Sequence, residues 1–194
     1  YRERVRPILL NSWEAFYFNI NEDDCLSLAA SAADLGVELF VVDDGWFVKR
    51  KTDRAALGDW TDDKEKFPGG IEALSEKIRA MGMGFGIWFE PEMVSPDSDL
   101  YRAHPEWIIR SRKYHPVLSR NQYILDLSRP EVCEYIFSSV AKILIKTKAV
   151  YVKWDMNRHI TDLGSAYLDS ACQRELSHRY MLGLYSILDR LNQE

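Results

Sequence analysis

The sequence has no apolar run that approaches the ~18 residues of a membrane span. It also has no basic run or patch. Lysine and arginine total 25 against 30 acidic residues, for a net charge of −5. That balance argues against nucleic acid as a partner. Cysteine is scarce: Cys25, Cys133 and Cys172 are far apart, odd in number and each in a predicted helix. They read as reduced packing residues, not as a disulfide framework or a metal site. The four histidines, His104, His115, His159 and His178, lack metal-ligand spacing. Repeats and low-complexity tracts are absent. The chain opens on Tyr1 without a methionine or an apolar leader, so it reads as the interior of a longer protein. Lone cysteines and no visible signal set a cytoplasmic expectation.

What remains is an ordinary globular composition, with 194 residues, 46% hydrophobic and 28% charged. That is enough chain for a sizeable core. Ile8–Trp13 predicts a first strand. Asn21 and the acidic residues after it predict a helix start, and Gly36 its end. Val37–Val42 reads as a buried strand that stops abruptly at Asp43-Asp44-Gly45-Trp46. A second helix carries Ile71, Leu74, Ile78 and Met81 on one face and stops at Gly82. Gly84–Phe89 is a third strand, ending in Glu90-Pro91-Glu92. Pro91–Asn121 reads as irregular, with one helical turn near Asp99–Ala103; a loop of that length is usually functional. Tyr123–Leu127 reads as extended. Ser128 and Glu131 have capping-box spacing around Pro130, and Val132, Ile136, Val140 and Ile143 give the following helix its apolar face. Ala149–Val152 predicts another strand, and Leu176, Tyr180, Leu184, Ile187 and Leu191 a final helix.

Strands that alternate with helices imply a parallel sheet. A Rossmann sheet needs a glycine-rich turn after its first strand, and the glycine cluster here lies around a later one. A (β/α)8 barrel instead places its chemistry at the C-terminal ends of many strands. Four predicted strand ends carry Trp13, Asp43/Asp44, Trp88/Glu90 and Lys153/Asp155. The reading is therefore α/β: the N-terminal half of a (β/α)8 TIM barrel with parallel strands, with residues 1–194 forming a partial catalytic domain.

Ala149–His159 (AVYVKWDMNRH) is the stretch that the rest serves. If the extended conformation persists, Lys153, Asp155 and Asn157 share one side. The lysine charge favours an ionised Asp155, which leaves three options: nucleophile, metal ligand or half of a salt bridge. Asp43 and Asp44 repel each other unless hydroxyls, amides or a cation satisfy them. A turn with a helix cap explains one of the two better than both. Acidic side chains beside tryptophan suit sugar, offering acceptors for hydroxyls and a flat plate for C–H faces. Among Trp13, Trp46, Trp60 and Trp88, strand parity with Glu90 favours Trp88. Glu90 and Glu92 read as supporting residues. A metal site built from Asp43, Asp44, Glu90 and Asp155 is the rival reading; an ammonium and aromatic plates weigh against it.

Several motifs arrive together and in order. They are Asn11-Ser12-Trp13-Glu14, Val42-Asp43-Asp44-Gly45-Trp46-Phe47, Gly58-Asp59-Trp60, Phe67-Pro68-Gly69-Gly70, Gly86-Ile87-Trp88-Phe89-Glu90-Pro91-Glu92 and Lys153-Trp154-Asp155-Met156-Asn157-Arg158. With these the chain resembles the family 36 α-galactosidases (melibiases) over nearly its whole length. The resemblance implies a retaining α-galactosidase acting on melibiose- or raffinose-type oligosaccharides, with no metal or cofactor and a homo-oligomeric parent. Asp155 would be the nucleophile. Asp43 and Asp44 would hold the O4 and O6 hydroxyls, Lys153 and Asn157 would be ring-hydroxyl ligands, Trp13 and Trp88 pocket walls, and Arg120 a further substrate contact. The acid/base aspartate of this family lies downstream of the lysine–tryptophan–aspartate motif, beyond Glu194. Alternatives are a galactosyl transferase of the raffinose synthase type, a metal-dependent barrel isomerase or lyase, and a non-catalytic galactose-binding module.

Overall fold

The computed structural model describes residues 5–111 and 114–193. Its strands are β1 (Leu9–Asn11), β2 (Leu39–Val42), β3 (Gly84–Phe89), β4 (Met93–Val94), β5 (Tyr123–Ile124) and β6 (Tyr151–Trp154). Its helices are α1 (Trp13–Phe16), α2 (Glu22–Asp34), α3 (Gly70–Ala80), α4 (Asp99–Ala103), α5 (Pro130–Thr147) and α6 (Leu176–Gln193). The residues group into two compact units. Among the described residues, no helix is long and apolar enough to cross a membrane.

The first unit comprises the described residues up to Thr52, Thr61–Phe89 and Ile143–Trp154. It holds a four-stranded sheet in the order β1-β2-β3-β6, with every pairing parallel. The α/β expectation is met in this sheet. Asn21 caps α2 by accepting the Asp24 amide on its side chain, and three acidic residues follow in the first turn, where the helix dipole favours them. Gly36, at φ +80°, ends that helix with its amide on Ala33 O and that of Val37 on Ala32 O. Closing the helix delays the strand: β2 starts at Leu39, not Val37. Its four residues are buried, as are Phe85, Ile87, Ile71, Leu74 and Ile78. Before β6, Lys148 takes a left-handed φ of +51° where the chain leaves α5.

Two expectations for this unit change. β1 ends at Asn11, and Trp13 opens the one-turn helix α1 instead of ending a strand. β6 runs Tyr151–Trp154, two residues later than expected, and the strand stops before Asp155.

The second unit comprises Asp53–Trp60, Glu90–Lys142 and the described residues from Asp155 onward. Its Pro91–Asn121 segment is less irregular than expected. β4 pairs antiparallel with β5, and α4 forms over Asp99–Ala103 with Ser98 capping the Tyr101 amide. Ser128 does not cap α5. Its hydroxyl donates to Asp126 Oδ1 at 2.6 Å, and its own amide does the same at 3.1 Å. A nearer carboxylate outcompetes the helix amides for the hydroxyl. Cys172 lies in a 3₁₀ segment, Ser170–Glu175, just ahead of α6. Within α6, Gly183 permits a close approach: a Cβ there would collide with the carbonyl oxygen of Leu127. Leu176, Tyr180 and Ile187 supply the buried face of this helix.

Candidate active site

In the first unit, parallel pairing sets the C-terminal ends of β1, β2, β3 and β6 along one sheet edge. Asn11 pairs with Val41, two residues short of Asp43, so by alternation the two side chains share a face. Asn11 Nδ2 donates to Asp43 Oδ2 at 2.6 Å, and Lys153 Nζ donates to the same oxygen at 2.8 Å. Oδ1 of Asp43 accepts the Asp44 amide at 2.9 Å. The carboxylate is 2% exposed, and its charge is met by one ammonium and two neutral donors. Lys153 therefore pairs with Asp43, a partner 110 residues away in the chain.

Asp44 is held differently. Arg50 grips it with two bonds, Nε to Oδ1 at 2.9 Å and Nη2 to Oδ2 at 2.8 Å. Gly45, at φ +103°, donates its amide to Oδ1 at 2.7 Å. Burial pushes the Asp44 carboxyl above the ordinary aspartate range, and Arg50 opposes that push. Lys66 fixes the loop by donating to the carbonyls of Phe18, Gly45 and Arg50. Sequence reasoning misses both Asn11 and Arg50. A signal for Arg50 is present: two adjacent aspartates at a strand end require a cation, and Lys49, Arg50 and Lys51 are the first basic residues after them.

The tryptophans divide. Trp88 is 2% exposed, its ring parallel to Phe47 at 6.4 Å and its carbonyl accepting Trp46 Nε1. Trp46 and Trp60 are buried too. Trp13 is half-buried, with Tyr17 and Phe18 edge-on to its ring at 5.0 and 5.2 Å. Accessibility thus favours Trp13 over Trp88 as a plate for a ligand.

In the second unit, half-buried Asp155 accepts the Met156 amide on Oδ1 at 3.0 Å and Asn157 Nδ2 on Oδ2 at 2.9 Å. The Asn157 amide donates to Glu90 Oε1 at 2.6 Å, and Gln122 Nε2 donates to Glu90 Oε2 at 3.0 Å. Burial, with a contribution from the Asp155 charge, pushes the Glu90 carboxyl upward. Glu92 accepts the Tyr180 hydroxyl at 2.5 Å. Both glutamates are thus hydrogen-bonded inside the fold. Arg120 and Asn121 form the two-residue tip of a turn closed by Ser119 and Gln122, whose amides and carbonyls bond reciprocally at 3.0 and 3.3 Å. Both tip residues have positive φ, +50° and +57°, the signature of a type I′ turn. Arg120 is exposed there. Among the described residues, no three His, Cys, Asp or Glu side chains cluster as a metal site would require.

A sequence model of the melibiase family matches residues 1–194. The chain is 49% identical over 191 residues to α-galactosidase AgaA of Geobacillus stearothermophilus and 44% identical to α-galactosidase Mel36A of Lactobacillus acidophilus. Each alignment covers 98% of this chain and 26% of the relative, so the chain spans about a quarter of the length of these proteins. The crystal structure of AgaA superposes with a TM-score of 0.96 at 48% identity, covering 99% of this chain and 27% of that one. A variant of that enzyme has been solved with raffinose bound. A more distant α-galactosidase, from Thermus thermophilus, gives a TM-score of 0.76 at 31% identity, over 97% of this chain and 37% of its own. The match runs from the first residue to the last, and on that ground the chain belongs to the melibiase family.

Proposed function

We propose that the protein containing this chain is a retaining α-galactosidase that hydrolyses terminal α-galactosyl residues of melibiose- and raffinose-type oligosaccharides. The chain supplies the nucleophile half of the site. The observation that carries this reading is Asp155: a half-buried carboxylate one residue beyond β6, with one oxygen on the Met156 amide and the other on Asn157 Nδ2. Two donors orient the group.

In the proposed reaction an Asp155 oxygen attacks the anomeric carbon as the glycosidic C–O bond breaks. The leaving oxygen takes a proton from a second carboxyl, which retaining chemistry places about 5–5.5 Å away. In this reading that group is an aspartate in the part of the protein beyond this chain. It then removes a proton from water, which displaces Asp155 and releases galactose with its original configuration. Asp43, Asp44, Lys153, Asn157 and Arg120 bind hydroxyls, and Trp13 and Trp88 wall the pocket. For Asp43 and Asp44, whose faces are largely covered, a hydroxyl meets an oxygen edge. Residues 1–194 form the first βα units of a (β/α)8 barrel. The rival metal reading fits less well, because Asp43 and Asp44 already have Lys153 and Arg50 as their cations. Three free cysteines suit a reducing cytoplasm. The family resemblance supports a homo-oligomeric parent.

The test is Asp155→Gly in the full-length protein. Turnover of an aryl α-galactoside disappears, and added azide restores release of the aryl group while forming β-galactosyl azide. Near-normal turnover of the variant without azide defeats the assignment.

A further inference from the structure

We infer that Glu90 is a positioning residue for the Asp155 carboxylate, acting through Asn157. The inference rests on the nucleophile role proposed for Asp155. Beyond β6 the chain has left its strand, and at Asn157 it has no sheet partner to fix its backbone. Glu90 takes over that task. Its Oε1 accepts the Asn157 amide at 2.6 Å, a short bond of the charge-assisted kind. Once that backbone is fixed, Asn157 Nδ2 returns to Asp155 Oδ2 at 2.9 Å. The orientation of Asp155 therefore depends on a group that never touches the sugar.

Glu90 is itself anchored. It is 1% exposed, and Gln122 Nε2 donates to its Oε2 at 3.0 Å. Gln122 is held from behind by Arg158, whose Nη1 donates to the Gln122 carbonyl at 2.6 Å and the Val117 carbonyl at 2.8 Å. Arg158 Nη2 reaches Thr161 Oγ1 at 3.0 Å. The same residue that steadies Glu90 thus closes the turn carrying Arg120. The donors that face Glu90 among the described residues are amides and carboxamides of Asn157 and Gln122, all neutral. Burying a carboxylate on neutral donors, with Asp155 in the same cluster, is costly. A neutral acceptor would hold the Asn157 amide at lower cost in an inert scaffold. One further atom fits the pattern. Gln122 Oε1 is buried with no hydrogen-bond partner, so this amide can turn over and accept a proton if its neighbour becomes a donor.

The experiment compares Glu90→Ala, Glu90→Gln and Asp155→Ala in the full-length enzyme, with rates taken per folded molecule from an active-site-independent measure of folded protein. Removing the anchor lets the nucleophile drift, and misplacement of a reacting group by about 1 Å costs up to ~100-fold. Glu90→Ala is expected to lower kcat by about 10–100-fold, with KM rising only as far as the Asn157 hydroxyl contact is lost. Glu90→Gln keeps an acceptor for Asn157, and Gln122 turns its Oε1 to the new amide, so most of kcat returns. A structural role alone would instead lower the melting temperature and leave kcat per folded molecule intact, and that result overturns the inference. So does a Glu90→Gln variant as slow as Glu90→Ala. If Glu90→Ala does not fold, Gln122→Met decides: kcat falls, and an unchanged kcat refutes the role. Full activity in Asp155→Ala would remove the nucleophile reading itself. Loss of activity there beside a normal Glu90→Ala would remove only this inference.

Discussion

Asp43 and Asp44 are adjacent in the chain, yet their charges are met in opposite ways. Asp43 shares Lys153 with a strand 110 residues away, whereas Asp44 is clamped by Arg50 from its own loop. The turn half of the turn-and-cap interpretation describes Asp44, and the cap half describes neither, since the next helix starts at Gly70. Arg50→Met should destabilise the protein by about 3–5 kcal/mol, because a buried carboxylate loses its cation. Burial already pushes the Asp44 carboxyl upward and Arg50 opposes it, so without Arg50 the folded-state pKa rises further. A raised folded pKa means stability that is lost as pH rises. The deficit of the variant should accordingly be larger near about pH 7 than near about pH 5 in parallel denaturant titrations. Arg120 makes the converse case. Its φ of +50° costs a non-glycine residue about 1 kcal/mol, and such strain persists where function requires the side chain. Arg120→Gly should leave the melting temperature unchanged or raised. If Arg120 binds sugar, KM rises by about 10-fold or more for the loss of a charged hydrogen bond. A stabilised variant with wild-type KM would remove Arg120 from the site.

At the scale of elements, α6 carries a buried polar anchor. Tyr180 is buried and donates to buried Glu92. Burial first and the Glu92 charge second push its hydroxyl well above the ordinary tyrosine range. Above about pH 10 the unfolded chain releases this proton while the folded one keeps it, so stability falls as pH rises. Tyr180→Phe should cost about 1–3 kcal/mol at neutral pH by taking a donor from Glu92. It should also flatten the alkaline limb of the stability curve; an unchanged limb would show that Tyr180 titrates normally. Elements like α6 were legible in the sequence because their signals are local. Asn21, Gly36 and Gly82 mark helix ends, and Leu176, Tyr180 and Ile187 recur at helical spacing. β3 and α4 were legible with their full bounds. The β4–β5 pair was not, because two residues per strand carry no periodicity. Ser128 departs from its expected role because hydroxyl spacing matches a capping box, while Asp126, two residues upstream, accepts the hydroxyl and turns it away from the helix amides. In the site, Asp43, Asp155 and Asn157 stood out by type and position. Gln122 and the Asp43–Lys153 pairing did not, since contacts between distant segments leave no mark on local sequence; Arg50 lies in Asp44's own loop, where the aspartate pair called for a cation.

For the whole molecule, the chain spans about a quarter of the relatives it matches. Its parallel sheet leaves β1 and β6 each paired on one side among the described residues, with Leu9 and Tyr151 each 40% exposed. Open strand edges of this kind call for pairing or cover. In the proposed barrel the remaining strands supply it, together with the second carboxyl. The reading of the entire protein comes down to one bond, between Asp155 and the anomeric carbon. That bond can be captured by treating the full-length enzyme with a slow fluorosugar α-galactoside, digesting it and mapping the labelled peptide by mass spectrometry. A galactosyl label on the peptide containing Asp155, with fragmentation placing it on that carboxylate, is the predicted result. A label on any other residue, with Asp155 unmodified in fully inactivated enzyme, would contradict it.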